Sequence, residues 1–157
     1  MLFKGLDIIN VILLFLLFVR AIKVYPKLPQ KIPTHFNLYL EPDAWGSRVM
    51  IFFLPTLAGI ILSLFMLVLP ESEPNLIVPI TPKNREVQLY MGDLMMKLLL
   101  LVILFFKHFL LSITICTEPA CRKQFKPYII ICFISVFAVP LVYMVLSYIY
   151  NPLCIMK

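Results

Sequence analysis

The chain has 157 residues, 62% of them hydrophobic and only 14% charged, with a mean hydropathy of +0.97, against roughly 45–50% apolar and 25% charged in soluble domains. A water-soluble fold of this length has too little interior to hide that much apolar surface, so the excess must face lipid. The net charge of +6 falls on residues that flank apolar runs, which points to contact with a membrane surface and away from nucleic acid.

In chain order, an apolar run over 8–25 predicts a first span, with Arg20 and Lys23 late enough to snorkel toward headgroups. Lys4 ahead of that run also suits a secretory signal peptide. Residues 20–25 offer no small-x-small cleavage site, however, so the segment is read as a retained span. Residues 26–48 contain Pro26, Pro29, Pro33 and Pro42 together with Asn37, Asp43 and Gly46. Such a composition excludes a regular helix and predicts an ordered, turn-rich loop with short extended pieces. A second, uncharged span follows over 49–69, with Pro55 in its first two turns as a candidate kink.

The next connection, 70–93, carries Pro70, Pro74, Pro79 and Pro82. Thr81 directly before Pro82 predicts a threonine cap with proline at the first helical position, and a following turn over 84–88. The third span is expected over 94–116 and contains Lys97, Lys107 and His108, while the fourth, 128–150, is uncharged apart from its flanks and carries Pro140. Barrel strands would be short and alternating instead. The expected fold class is therefore all-α: a single integral membrane domain over 1–157, with four transmembrane helices and an ordered Pro-rich loop between helices 1 and 2.

Lys and Arg on alternate connections estimate sidedness. The first and third connections hold Arg20, Lys23, Lys27, Lys31, Arg48, Arg122, Lys123 and Lys126, against Lys4, Lys83, Arg85, Lys97 and Lys157 on the other side. This small surplus places the first loop on the cytoplasmic side. Cys116, Cys121, Cys132 and Cys154 contain no C-x-x-C pair and no nearby His pair, so they form no zinc pattern. Cys132, inside an apolar run, reads as a small core residue. Cys116 and Cys121 are able to bridge only if their end of the molecule faces an oxidising compartment.

The first loop concentrates polar chemistry: His35, Asn37, Glu41, Asp43 and Trp45 fall within eleven positions. Two readings stand. In one they line a binding pocket; in the other Asn37 and Asp43 accept backbone N–H bonds in turns, His35 bonds a carbonyl and Trp45 anchors the loop at headgroup depth. A single His argues against a metal site, and no cofactor is implied. In a helix centred on the third apolar run, Lys107, next to His108, lies near the bilayer midplane, where a charge suggests a proton path or a buried ion pair. A helix that starts earlier, near Gln88, leaves Lys107 near its far end to snorkel, and Asp93 and Lys97 favour that earlier start. No HExxH, phosphate loop or GxSxG elbow is present, so catalysis has no signature of its own.

The string Leu28-Pro29-x-x-Ile32-Pro33-x-His35-Phe36-Asn37, followed by Glu41-Pro42-Asp43-x-Trp45-Gly46-Ser47, resembles the bacterial membrane family "domain of unknown function 1648". That family also supplies the N-terminal part of SdpI-type immunity proteins. A second patch, Pro79-Ile80-Thr81-Pro82-Lys83-Asn84-Arg85-Glu86-x-Gln88, looks like the stretch before the third span in short four-helix members. This chain departs from the family pattern at Leu40, where Gly is common, and at Arg48, where Lys is. Gly would suit a positive-φ turn, so Leu40 implies a different turn or a cost of about 1 kcal/mol or more.

The resemblance implies a multi-pass protein of the bacterial cytoplasmic membrane with a role in resisting or sensing a peptide toxin. Three functions are in play: an SdpI-like immunity or sensing factor, or a membrane partner subunit, meeting a peptide or a membrane protein through the first loop; a membrane enzyme using His35 and Asp43; and a small transporter using Lys107 and His108. The last would gain from an intramembrane acid near Lys107, and the four runs contain none.

Overall fold

A computed structural model describes residues 2–68 and 78–151. Pro70, Pro74, Cys154, Lys157 and the expected end of the second span at 69 lie outside the described residues.

Helix α1, Leu2–Val24, starts six residues earlier than the apolar run, because nothing before Ile8 breaks a helix except the tolerated Gly5. It passes into a 3-10 turn at Tyr25–Lys27, where Pro26 fixes φ and removes the next helical donor. The Pro-rich segment then folds as an antiparallel hairpin, β1 (Lys31–Phe36) with β2 (Pro42–Ser47). A second 3-10 turn, Arg48–Phe52, leads into α2, Phe53–Ser63, which relaxes into a π turn at Leu64–Val68. Pro55 is the third residue of α2, where its missing N–H has no intrahelical partner to lose.

Helix α3 spans Arg85–Ile115, about 46 Å against a hydrocarbon layer of roughly 30 Å. The expected threonine cap is not formed as predicted. Pro82 lies in a turn before the helix and Asn84 is its N-cap, with no side-chain capping bond; the Thr81 carbonyl accepts from the Asn84 and Arg85 amides, and the Thr81 amide donates to Asn84 Oδ1 at 2.7 Å. A short helix α4, Pro119–Lys123, fills the third connection, and α5, Lys126–Ile149, runs through Pro140 without a break. Among the described residues four segments are thus long and apolar enough to cross a membrane, and their many exposed large apolar side chains suit lipid contact.

Helices α1, α2 and α3 share one core built on Leu17, Ala21, Ala58, Leu62, Leu100, Leu104 and Leu111. Ala21 and Ala58, fully buried, allow close approach of their helices. Ile32 of β1 and Ile51 of the second 3-10 turn join this core, which pins the hairpin to the bundle. Helix α5 packs chiefly along α3, with Tyr128 stacked on Phe109 at a centroid distance of 5.2 Å.

Candidate functional site: a hairpin mounted on the bundle

The hairpin turn is organised by Asn37. Its Oδ1 accepts from the Tyr39 amide at 2.8 Å and the Glu41 amide at 3.0 Å, its Nδ2 donates to the Glu41 carboxylate at 3.2 Å, and its own amide donates to the Glu41 carbonyl at 2.9 Å. An Asn side chain that mimics backbone in this way closes the turn locally. Leu40 takes φ 61°, so this chain keeps a left-handed turn with a branched residue and accepts its steric cost.

Register pairs Pro33 with Trp45 and His35 with Ala44, with irregularities on either side of His35. The result presents His35 and Asp43 together: His35 Nδ1 lies 2.6 Å from Asp43 Oδ1, with side chains 71% and 45% exposed. Trp45 is also exposed, opposite Pro33. Gly46 has a specific reason to be glycine, since a Cβ there would meet Thr34 Cγ2 at 2.8 Å. At the base, the Arg48 amide donates to the Gln30 carbonyl at 2.9 Å, and the Arg48 guanidinium sits 4.9 Å over the Tyr25 ring. At the tip, Lys126 Nζ lies 5.9 Å from the Tyr39 ring centroid, so the start of α5 touches the turn.

Of the sequence-derived site residues, the structure brings together His35 with Asp43 and Asn37 with Glu41. Those pairs do not converge on one pocket: a cavity of about 90 Å³ beneath the hairpin is lined by Ile32, Thr34, Phe36, Ile51 and Leu110 among others, and not by His35 or Asp43. Among the described residues no three His, Cys, Asp or Glu side chains group as a metal set. Asn37 therefore fills the turn role weighed for it, while His35 bonds a carboxylate rather than a carbonyl.

Lys107 and His108 lie elsewhere, about 12 Å before the end of α3. His108 Nε2 donates to the Leu13 carbonyl at 2.9 Å, and the Arg20 guanidinium donates to the His108 carbonyl at 3.4 Å, which ties α1 to α3. A second polar layer was hidden in the sequence. Lys97 Nζ pairs with Asp7 at 2.7 Å and Asp93 at 3.4 Å, and Asn10 Nδ2 donates to the Lys97 carbonyl at 3.3 Å. Asp7 was missed because it precedes the apolar run; opposite charges at equal depth on spans 1 and 3 were the available signal. Between this layer and His108 stand Leu100 and Leu104, at 2% and 0% exposure, which leave no polar path along that interface.

At the third connection Cys116 and Cys121 form a disulfide, and buried Arg122 donates to the Cys116 and Thr117 carbonyls at 2.9 and 2.7 Å. The connection leaves the bundle at the same end as the hairpin, since α1 and α3 run parallel.

The hairpin and the helices that bracket it coincide with a known unit: residues 12–59 match the family described as "Domain of unknown function (DUF1648)". Over 65 residues the chain is 34% identical to an "Uncharacterized protein" of Archaeoglobus fulgidus, a stretch that makes up 41% of this chain and 36% of that relative's length. No solved structure matches. The DUF1648 segment contains the whole hairpin together with most of α1 and the larger part of α2, so the unit is a helix–hairpin–helix, with α3 and α5 outside it.

Proposed function

We propose that this DUF1648 protein is a non-enzymatic, SdpI-like immunity or peptide-sensing factor of the bacterial cytoplasmic membrane, with the hairpin as its recognition surface. The observation that carries this reading is the outward display of His35, Asp43 and Trp45 on a hairpin whose turn and base are fixed by other residues. An exposed aromatic beside a hydrogen-bonded His–Asp pair on a rigid element suits capture of a peptide. The Cys116–Cys121 disulfide at the same end supports an oxidising side for the hairpin, where a secreted peptide would meet it. The Lys and Arg count argues for the opposite orientation, but its margin is small and Arg122 already has a structural use at the end of α3.

A second reading, an enzyme using His35 as a base oriented by Asp43, draws on the 2.6 Å contact between them. Transport through Lys107 and His108 loses support from the leucine layer and from the backbone bond that occupies His108 Nε2.

Expression in a bacterial host challenged with a panel of secreted membrane-active peptides tests the proposal. The intact chain is expected to raise survival against at least one peptide, and His35→Ala and Asp43→Ala to lower it at unchanged membrane abundance. Survival equal to that of the empty host across the panel would refute the immunity reading, and full protection by both variants would remove the pair from recognition.

A further inference from the structure

The hairpin does not stand away from the bundle. Its base is held at the end of α1, where the Arg48 guanidinium covers Tyr25. The end of β1 lies beside α3, since Phe36 lines the same cavity as Leu110 and Thr114, in the last two turns of that helix. The tip reaches Lys126, the first residue of α5, whose Nζ is 5.9 Å from the Tyr39 ring centroid. The hairpin therefore crosses the end of the bundle from α1 past α3 to α5, and its tip lies at the level where α5 begins. Nearby on the same two helices, Tyr128 stacks on Phe109 at 5.2 Å and Phe125 lies 6.4 Å from the same ring. Aromatic rings with a lysine at the end of an apolar span are the composition of a membrane–water interface.

The residues of the turn itself are out of keeping with a wet loop. Turns in water draw on Gly, Asn, Asp and Ser. Here Asn37 supplies that chemistry, its Oδ1 accepting from the Tyr39 and Glu41 amides. The Leu38 and Tyr39 side chains are 91% and 68% exposed, and Leu38 is the most exposed large apolar residue among those described. Beside them the third connection, 117–127, sets Glu118 against Arg122, Lys123 and Lys126. Lys123 and Lys126 are exposed and take part in none of the ion pairs seen among the described residues. Glu41, the acid of the turn, is engaged by Asn37 Nδ2 at 3.2 Å.

We propose that the tip of the hairpin is seated in the interfacial layer of the protein's own bilayer, with Leu38 and Tyr39 among the headgroups and Lys126 on the phosphate of an anionic phospholipid. Three observations choose lipid as the occupant. The tip shares its level with the start of an apolar span, so headgroups lie beside it. Leucine and tyrosine together offer an apolar surface that ends in one hydroxyl, which suits the gradient from acyl chain to headgroup. The surplus charge of the adjoining connection is positive, which favours an anionic lipid over a zwitterionic one. The hairpin would then be held at both ends, by Ile32 in the helix core and by lipid at the turn. This inference goes beyond the recognition reading, because it concerns the turn and not the His35–Asp43 pair.

The chain has a single tryptophan, Trp45, so a reporter can be moved to the turn. Leu38→Trp in a Trp45→Phe background, as the full chain, is reconstituted in phosphatidylcholine–phosphatidylglycerol vesicles; Tyr39→Trp in the same background repeats the reading at the adjacent position. Both indoles are expected to emit at blue-shifted wavelengths, to resist aqueous iodide, and to be quenched more by lipid brominated near the glycerol end of its chains than by lipid brominated near the methyl end. Brominated phosphatidylglycerol should quench about fivefold more effectively per lipid than brominated phosphatidylcholine, the preference that one lysine contributes at an anionic surface. Lys126→Gln should remove most of that preference and leave the depth unchanged. Free access of iodide at either position, or stronger quenching by bromines near the methyl end, would overturn the interfacial seat. An undiminished preference for phosphatidylglycerol in Lys126→Gln would overturn the phosphate contact. No peptide enters this assay, so its failure and that of the recognition reading are separate results.

Discussion

Replacing Leu40 by Gly isolates the strain held in the hairpin turn. Leu40 sits at φ 61°, a left-handed conformation that costs a residue with a Cβ about 1–2 kcal/mol. Gly removes that penalty and adds about 0.5–1 kcal/mol of unfolded-chain entropy in return. Leu40 is only partly buried, so little packing is lost, and the net expectation is a hairpin stabilised by about 0.5–1 kcal/mol. Hydrogen exchange in nanodiscs can read this at two amides: Asn37, bonded to the Glu41 carbonyl, and Leu40, whose amide bonds the Asn37 carbonyl. Their exchange should slow by about two- to fivefold if opening of the turn controls it. Leu40→Ala, which keeps a Cβ, should give no such gain. Faster exchange in Leu40→Gly than in the parent would mean that the turn is not strained and that the Leu side chain contributes more than its geometry costs.

Two further outcomes follow from the helices. Lys97→Met should destabilise the protein by about 3 kcal/mol, at the low end for breaking a buried ion pair because Lys97 and Asp7 retain 18% and 27% of their side-chain exposure, whereas Lys107→Met should leave thermal stability and membrane abundance unchanged if Lys107 snorkels; equal losses in the two variants would refute that expectation. Cysteine labelling with a membrane-impermeant maleimide should place Lys31→Cys and Lys123→Cys on one side and Lys83→Cys on the other, and labelling of all three from one side would refute the four-span topology.

Apolar length and turn chemistry made most of the architecture legible. The four spans follow from hydropathy alone, and the density of proline with Asn37 and Asp43 announced an ordered loop with extended pieces, which is the observed hairpin. Helix boundaries were legible only where a breaker stands. Helix α3 outruns its apolar stretch because Arg85 to Asp93 are good enough helix formers, although they carry no hydropathy signal. The Asn84–Asn151 and Gln88–Ser147 bonds join residues 67 and 59 positions apart, and no local pattern encodes such pairs. For His35 and Asp43 proximity was legible, but their outward aim was not, since it depends on the register irregularities on either side of His35.

Those irregularities explain why one face of a two-stranded hairpin can serve two purposes. An unbroken alternation would send every second residue of β1 toward the bundle. Instead Ile32 and Pro33 are both buried, and Thr34 and His35 are both exposed, so the strand spends adjacent residues on anchorage and then adjacent residues on display. The anchor reaches Ile51 and the helix core through Ile32, while Gly46 gives Thr34 room on the paired strand. A hairpin built this way carries its exposed His35–Asp43 pair at the end of a short mechanical path into α1, α2 and α3. A partner that met that pair, as proposed, would act on side chains whose support is the helix core itself.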